Sequence, residues 1–152
     1  MITTTNNISE RTRTLIKLCN DRLADAVDLQ LQCKHGYWNT TDPNLMTLRE
    51  TFDQLNESVE DYIDRIADRA VKIGGVANSA ERVLATWWHL LCSPDAICRN
   101  HARVIATALE SFGELVRQTT DTANEFDDFV SAEMFTEISE DVDKWRRTLA
   151  AS

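Results

Sequence analysis

The sequence predicts an all-α protein, an antiparallel four-helix bundle with a short extra helix between the second and third long helices. Apolar residues recur at helical spacing in four long stretches, and no stretch alternates apolar and polar residues as a β-strand does. Only four glycines and two prolines occur in 152 residues, so helices have few places to break. These few breaks mark the predicted helix boundaries.

The first two long helices are bounded by a capping residue and by glycines. Ser9 is a good N-cap for a first helix that runs to about Gly36. Asp42-Pro43 opens the second helix and Gly74-Gly75 closes it. Apolar residues of the second helix form a seven-residue repeat with a second matching row: Leu45, Phe52, Val59, Ile66 and Ile73, then Leu48, Leu55 and Tyr62. This repeat is typical of a helix in a bundle.

The remaining helices follow three further boundaries. Ser79 caps a predicted short helix that runs to about Leu91, and Ser93-Pro94 restarts the chain for the third long helix. We interpret the polar run Gln118–Asn124 as the connection to a last helix. Four long helices with one short helix in a long crossover connection form a ferritin-like layout.

Composition narrows the class of protein. The chain has 16 basic and 25 acidic residues, a net charge of -9, and 43% hydrophobic residues. This apolar content favours a folded core that needs no disulfide or structural metal, and we expect a single domain over 1–152 with a flexible tail at 1–8. The acidic charge disfavours a nucleic-acid partner and favours cations.

Cellular location is predicted from what the sequence lacks. No apolar stretch approaches the roughly 20 residues that a membrane helix needs. The first residues are neither basic nor apolar, as a secretion signal would be. Four cysteines contain no CxxC pair, so reduced thiols are expected, and no nucleophile elbow or phosphate loop is present. We expect a cytoplasmic protein that is not a hydrolase and has no membrane contact.

Two groups of residues are candidate metal ligands. One side of the second helix carries a stripe of charged side chains beside its apolar face: Arg49, Asp53, Glu60, Asp64 and Asp68. The stripe is either a solvated edge or a cation site, since like charges four positions apart repel unless a cation lies between them. The second group suits zinc or another transition ion, or is simply part of the core: His89, Cys92, Cys98 and His101.

Several segments of the chain carry a family resemblance: CKHGYWN at 33–39, LRETFD at 48–53, DRIADR at 64–69 followed by GGVA, and AEMFTEIS at 132–139 with DKW at 143–145. These segments resemble the Dps family, the miniferritins of starved bacteria. The resemblance covers nearly the whole chain. It implies a dodecameric iron-storage shell that oxidises iron(II), usually with peroxide, although oxygen is also an oxidant, and so limits oxidative stress. Some members also bind DNA.

The resemblance also implies a ferroxidase site across a two-fold interface. One subunit of the family supplies two histidines and an aspartate, and the other supplies an aspartate and a glutamate. In this sequence the aspartates match at Asp53 and Asp64, and Asp68 is a shorter stand-in for the glutamate. Tyr37 and Arg49 replace the histidines.

These replacements change the expected chemistry. A guanidinium has no lone pair for a metal and stays charged, so Arg49 is not a ligand. Either it lies among Asp53, Asp64 and Asp68 as a salt-bridge cluster, or it points away and leaves three carboxylates and the Tyr37 phenol to bind a metal. The resemblance therefore predicts iron storage with a degenerate ferroxidase site, where iron is weakly held or absent and oxidation is slow or absent.

Two alternatives remain open at this point. One is an active ferroxidase that uses an altered carboxylate and tyrosine site. The other is an iron-independent structural or DNA-compacting shell. Trp38 keeps the family's aromatic neighbour of the site, which is expected to intercept oxidising equivalents.

The resemblance also places an acidic group near the iron-entry pores at the three-fold axes, formed by Asp127, Asp128 and Glu133. These acids equally suit the start of a helix, where the helix dipole favours negative charge. DNA binding in the family usually depends on a lysine-rich tail, and residues 1–10 contain no lysine or arginine. DNA binding is therefore not expected.

Overall fold

The computed structural model of the protein describes residues 9–79, 84–85 and 100–151. Four long α-helices account for most of this part of the chain: α1 (Glu10–Asn39), α2 (Met46–Lys72), α3 (His101–Glu125) and α4 (Phe129–Ala150). A short 3-10 helix, Pro43–Leu45, precedes α2, and the described residues contain no strand. The predicted all-α four-helix bundle is confirmed. The short helix predicted from Ser79 to Leu91 lies almost wholly outside the described residues.

Helix α1 begins as predicted and ends later. Ser9 is the N-cap, and its hydroxyl accepts a hydrogen bond from the Thr12 amide at 3.2 Å. The helix continues through Gly36 to Asn39, three residues beyond the predicted end. Gly36 serves a close approach between helices, since a β-carbon there would lie 3.0 Å from Ile105 Cδ1 and 3.3 Å from the Phe52 ring. The stop comes at Thr40, whose amide and hydroxyl both bond to the Gly36 carbonyl.

The start of the second helix differs slightly from the prediction. Asp42 caps a 3-10 turn through a 2.9 Å hydrogen bond from the Asn44 amide, and the α-helix begins only at Met46. Its end agrees with the prediction, because Gly74 adopts a φ of 103° that favours glycine. Gly75 then passes close to α1.

The predicted end of the third long helix is wrong. The described helix begins at His101, with Asn100 as an extended N-cap whose side chain accepts from the Arg103 amide, and the predicted restart at Ser93-Pro94 lies outside the described residues. The polar run Gln118–Asn124 is helical and not a connection. Threonine hydroxyls in the run bond to carbonyls four residues back, and Thr119 and Ala123 are buried, so polar composition did not end the helix.

The core lies along the predicted repeat of α2. Phe52, Leu55, Val59, Tyr62 and Ile66 are buried, whereas Leu45, at the start of the repeat, is 44% exposed. They pack with apolar residues of the other three helices, among them these side chains: Leu29, Ile105, Leu109, Phe112, Val116, Phe135, Ile138 and Val142. This burial fixes the rotation of α2 and therefore the direction of its charged stripe.

None of the described helices is long and apolar enough to cross a membrane.

We expect Gly75→Ala to destabilise the protein. A β-carbon at this position would lie 2.5 Å from Ile16 Cγ2 and 3.1 Å from the Ala70 carbonyl oxygen, so the loop after α2 has to move away from α1. The cost should be about 1–3 kcal/mol in the free energy of unfolding, measured by urea titration. In an Ile16→Ala background, which removes the nearer obstacle, the same substitution should cost less. An equal cost in both backgrounds would contradict this explanation.

Candidate functional site

Tyr37 and Arg49, the two residues that the resemblance matches to the family's histidines, contact each other. Tyr37 lies in the last turn of α1 and Arg49 near the start of α2, and the short connection brings these turns together. The Arg49 guanidinium carbon lies 4.0 Å from the centroid of the Tyr37 ring, and Arg49 Nε donates a 3.1 Å hydrogen bond to the Tyr37 carbonyl. Both residues are half-buried, so this cation–π contact is partly shielded from water.

The contact gives Arg49 a defined place within its own chain. In the part of the chain that the structure describes, Arg49 makes no ion pair with Asp53, its neighbour one turn further along α2. The guanidinium therefore lies on the Tyr37 ring and not on this carboxylate. Whether aspartates of a second copy approach it stays a prediction.

The three candidate carboxylates lie on the exposed side of α2. Asp53 and Asp64 are exposed, and Asp68 forms a 2.8 Å ion pair with Lys72. This pair relieves the repulsion between Asp64 and Asp68, although an exposed ion pair contributes little stability. Eleven positions separate Asp53 from Asp64, which is roughly 16 Å along a helix, so one chain does not bring them together.

The described side chains form no cluster of metal ligands within one chain. Among residues 9–79, 84–85 and 100–151, no three histidine, cysteine, aspartate or glutamate side chains lie close enough to hold a metal ion. A site that includes both Asp53 and Asp64 therefore needs a second copy of the chain.

Three large apolar side chains near the chain positions of Tyr37 and Arg49 are exposed. Trp38 is 53% exposed, Leu45 44% and Met46 39%. All three belong to the end of α1 and the turn that leads into α2. Exposed large apolar side chains that lie together are typical of an interaction surface.

The acids near the start of α4 are in different environments. Asp128 is the N-cap of α4, and one of its oxygens accepts hydrogen bonds from the Ser131 amide and, at 2.9 Å, from Arg69 on α2. Partial burial would raise the pKa of Asp128, but the Ser131 hydrogen bonds and the Arg69 charge outweigh it and hold the pKa below its usual range. Asp127 and Glu133 are exposed. Their pore role stays a prediction.

Of the predicted histidine and cysteine group, the structure describes only His101. Its ring meets His35 of α1 edge to face, with 5.6 Å between the ring centroids. Burial, and secondly the charge of His35, lower the pKa of His101. The other members, His89, Cys92 and Cys98, lie outside the described residues. The sequence analysis missed His35, because the two histidines are distant in the chain and no spacing rule joins them.

The bundle also contains a polar group that the sequence analysis assigned to the core. Tyr62 of α2 is 2% exposed, and its hydroxyl donates a hydrogen bond to the Asp141 carboxylate of α4. Its ring stacks on Phe112 with centroids 6.3 Å apart. The sequence feature that could have indicated this hydrogen bond is Asp141, an acid one turn before Trp145 at the edge of an apolar stripe.

Comparison with known proteins defines the class and then the family. The family model described as "Ferritin-like domain" matches residues 16–151, so the chain is a ferritin-like protein. A "DNA protection during starvation protein" from Agrobacterium fabrum is 31% identical over 134 residues, which are 86% of this chain and 82% of the relative. One of the same name from Brevibacillus brevis is 29% identical over 131 residues, 84% of this chain and 86% of the relative. The chain belongs to the Dps family of ferritin-like proteins.

Solved structures support the same fold. A Dps crystal structure from Bacillus brevis superposes with a TM-score of 0.79 at 23% identity, covering 95% of this chain and 97% of that one. The tetragonal form of Mycobacterium smegmatis Dps gives a TM-score of 0.81 at 20% identity, covering 95% of this chain and 89% of that one.

We expect Asp128→Ala to lower the free energy of unfolding by about 2 kcal/mol, because it removes a helix cap and leaves Arg69 without its carboxylate. Asp128→Asn should cost less, since asparagine is also a good N-cap. The pKa of Asp128 is lowered by folding, so its stabilisation is present above the unfolded value of about 4 and is lost as pH falls through the lower folded value. The gap between wild type and Asp128→Asn should therefore shrink in acid, as measured by thermal unfolding at fixed protein concentration.

Asp127→Asn is the matched control. Asp127 is the exposed neighbour, with a φ of 58°, which asparagine tolerates well. It should leave stability nearly unchanged. If Asp127→Asn lowered stability as much as Asp128→Asn does, this would contradict the claim that the ion pair between Asp128 and Arg69 is the source of the stabilisation.

Proposed function

We propose that this chain is the subunit of a Dps-type shell that binds and stores iron and protects against iron and peroxide stress, with an impaired ferroxidase site. The observation that carries the impairment is the contact between Arg49 and Tyr37. The two positions that resemble ligand histidines are occupied by a cation and an aromatic ring that bind each other. Neither side chain offers an imidazole nitrogen to iron.

The charge of Arg49 opposes iron binding in a second way. A guanidinium remains positive at any working pH, and it lies one turn from Asp53 on α2. A divalent cation bound by Asp53 would lie close to this fixed positive charge and would be repelled by it. Slow oxidation then follows from weak binding of the substrate iron as well as from missing ligands.

A homo-oligomer supplies what one chain lacks. Asp53 and Asp64 are too far apart in one copy, whereas a two-fold contact between α2 helices brings Asp53 of one copy to the Asp64 end of the other. The exposed apolar side chains of Trp38, Leu45 and Met46 are suited to burial between copies. The dodecamer is proposed from the family resemblance, as is a cytoplasmic location.

Storage does not require a fast ferroxidase site. Exposed carboxylates continue along α2 beyond Asp53, at Glu60, Asp64 and Asp68. Oxygen ligands of this kind suit iron ions, so an acidic inner surface can bind them and support growth of a ferric mineral. Oxidation there is slower because the carboxylates are not arranged around an iron pair.

We expect the double substitution Arg49→His and Tyr37→His to speed iron(II) oxidation. It removes the fixed positive charge and supplies two imidazole ligands beside Asp53. The initial rate, measured by stopped-flow absorbance with oxygen and with peroxide, should rise by about tenfold or more. An unchanged initial rate in an intact shell would contradict the claim that these two positions limit the chemistry.

Two controls separate the causes. Arg49→Gln removes the charge without adding a ligand, so a rise in rate from this variant alone would assign the limit to electrostatics. Iron content per shell after loading tests storage itself. A fast wild-type rate would favour an active ferroxidase with an altered site, and an assembled shell that takes up no iron would favour a purely structural role.

We expect protection without DNA binding. The relatives are named for DNA protection, but residues 1–10 of this chain lack lysine and arginine, and twelve copies at -9 each would carry about -108, which repels a phosphate backbone. Plasmid DNA should keep its mobility in a gel-shift assay near physiological salt. The Agrobacterium fabrum relative can be run beside it for comparison. A clear shift with this protein would overturn the expectation.

A further inference from the structure

Tyr62 is a buried tyrosine whose hydroxyl has a charged hydrogen-bond partner. It is 2% exposed in the middle of α2, stacked on Phe112. A buried phenol needs one hydrogen-bond partner, and a neutral group or a backbone carbonyl would serve. The chain instead provides the carboxylate of Asp141, a charged acceptor on α4. A carboxylate beside a phenol is a base in contact with an acidic proton.

A second aromatic side chain completes the group. Trp145, one turn after Asp141 on α4, packs against the buried cluster that contains Tyr62. The phenol itself donates its hydrogen bond to Asp141. Trp145 and Asp141 are half-buried and Tyr62 is buried, so the group runs from the protein surface into the core.

The surroundings of Tyr62 disfavour loss of its phenol proton alone. Loss of the proton alone would place a second negative charge beside the carboxylate in an apolar core, which is costly. The phenol of Tyr62 therefore loses its proton only when it is also oxidised.

We propose that Tyr62 is a redox-active tyrosine, with Asp141 as its proton acceptor and Trp145 as its contact with the surface. A one-electron oxidant, such as a hydroxyl radical or a metal complex in a high oxidation state, removes one electron. The phenol O–H bond breaks and its proton moves to the Asp141 carboxylate. The products are a neutral phenoxyl radical on Tyr62, a carboxylic acid at Asp141 and the reduced oxidant. A one-electron reductant reverses the step, and the proton returns to the phenol oxygen.

The surroundings suit each part of this step. The oxidised Tyr62 is neutral, so no charge is created in the apolar core. Its ring lies between packed side chains and is shielded from most molecules that would react with a radical. Bulky oxidants do not reach Tyr62 directly, whereas the half-buried Trp145 packs against the same cluster and can pass the electron outward.

The test uses the assembled protein without iron, so it stands apart from the proposed iron function. Photogenerated tris(bipyridine)ruthenium(III) serves as the oxidant, with persulfate as the terminal acceptor. Transient absorption follows formation of the phenoxyl radical, and electron paramagnetic resonance after freezing identifies it. The chain has two tyrosines, so Tyr37→Phe is a matched control for Tyr62→Phe.

The expected results are specific to each variant. Wild type and Tyr37→Phe should give a tyrosyl signal, and Tyr62→Phe should lose it. Asp141→Asn keeps the phenol but removes the base, so radical formation should slow roughly a hundredfold, within the contribution of a positioned base to proton transfer. Trp145→Phe should slow formation without changing the tyrosyl spectrum.

Other outcomes would overturn the proposal. A tyrosyl signal that survives in Tyr62→Phe and disappears in Tyr37→Phe would show that the radical forms on Tyr37 and not on Tyr62. An Asp141→Asn variant that melts earlier but forms the radical at the wild-type rate would leave Asp141 a purely structural role. Should Tyr62→Phe fail to fold, ring-deuterated tyrosine in the Tyr37→Phe protein gives the assignment. The signal must narrow on deuteration, and an unchanged signal would contradict it.

Discussion

Burial of one face of α2 is the constraint on which the rest of the structure depends. Phe52, Leu55, Val59 and Ile66 are fully buried, so the helix has one rotation that satisfies the core. The same rotation turns Asp53 and the following acids outward and places Tyr62 inward. The exposed charged stripe and the buried position of Tyr62 both follow from this one rotation of α2. Neither can change its orientation without the other.

The sequence predicted the features that depend on local chemistry or on periodicity. Ser9 caps α1 as expected, and the seven-residue repeat of α2 is the core. The errors arose where a residue type was interpreted without its neighbours. Gly36 looked like a helix stop, but its missing side chain makes room for Ile105 and Phe52. The run Gln118–Asn124 looked like a connection, yet threonines there bond within the helix.

The side-chain contacts at the candidate site lay beyond sequence prediction for a different reason. Arg49 meets Tyr37 across the connection between two helices, and Tyr62 meets Asp141 across the bundle. No repeat joins such positions, because the contact depends on how two helices cross and not on either helix alone. The resemblance identified which positions mattered, and only the packed structure indicated what their side chains do.

The acidic side chains have different roles in the folded structure. Asp128 neutralises Arg69, and Glu137 pairs with Arg65, so part of the charge joins α2 to α4 and is not available to a cation. The acids that remain exposed on α2 include the stripe that the sequence analysis singled out, at Asp53, Glu60, Asp64 and Asp68, and also Glu50, Glu57 and Asp61. The acidic charge of the described residues is therefore divided between ion pairs that join helices and side chains that face the solvent.

The two positions that the resemblance assigns to ligand histidines lie at the rim of the bundle. Tyr37 and Arg49 are half-buried there, and Tyr37 packs against the edge of the buried core. The two replacements also depend on each other. An arginine opposite an imidazole would lose the electron-rich ring of tyrosine, and a tyrosine without the arginine would expose its ring face to water. The pair therefore acts as one structural contact between the end of α1 and the start of α2, and it leaves the exposed acids of α2 unchanged.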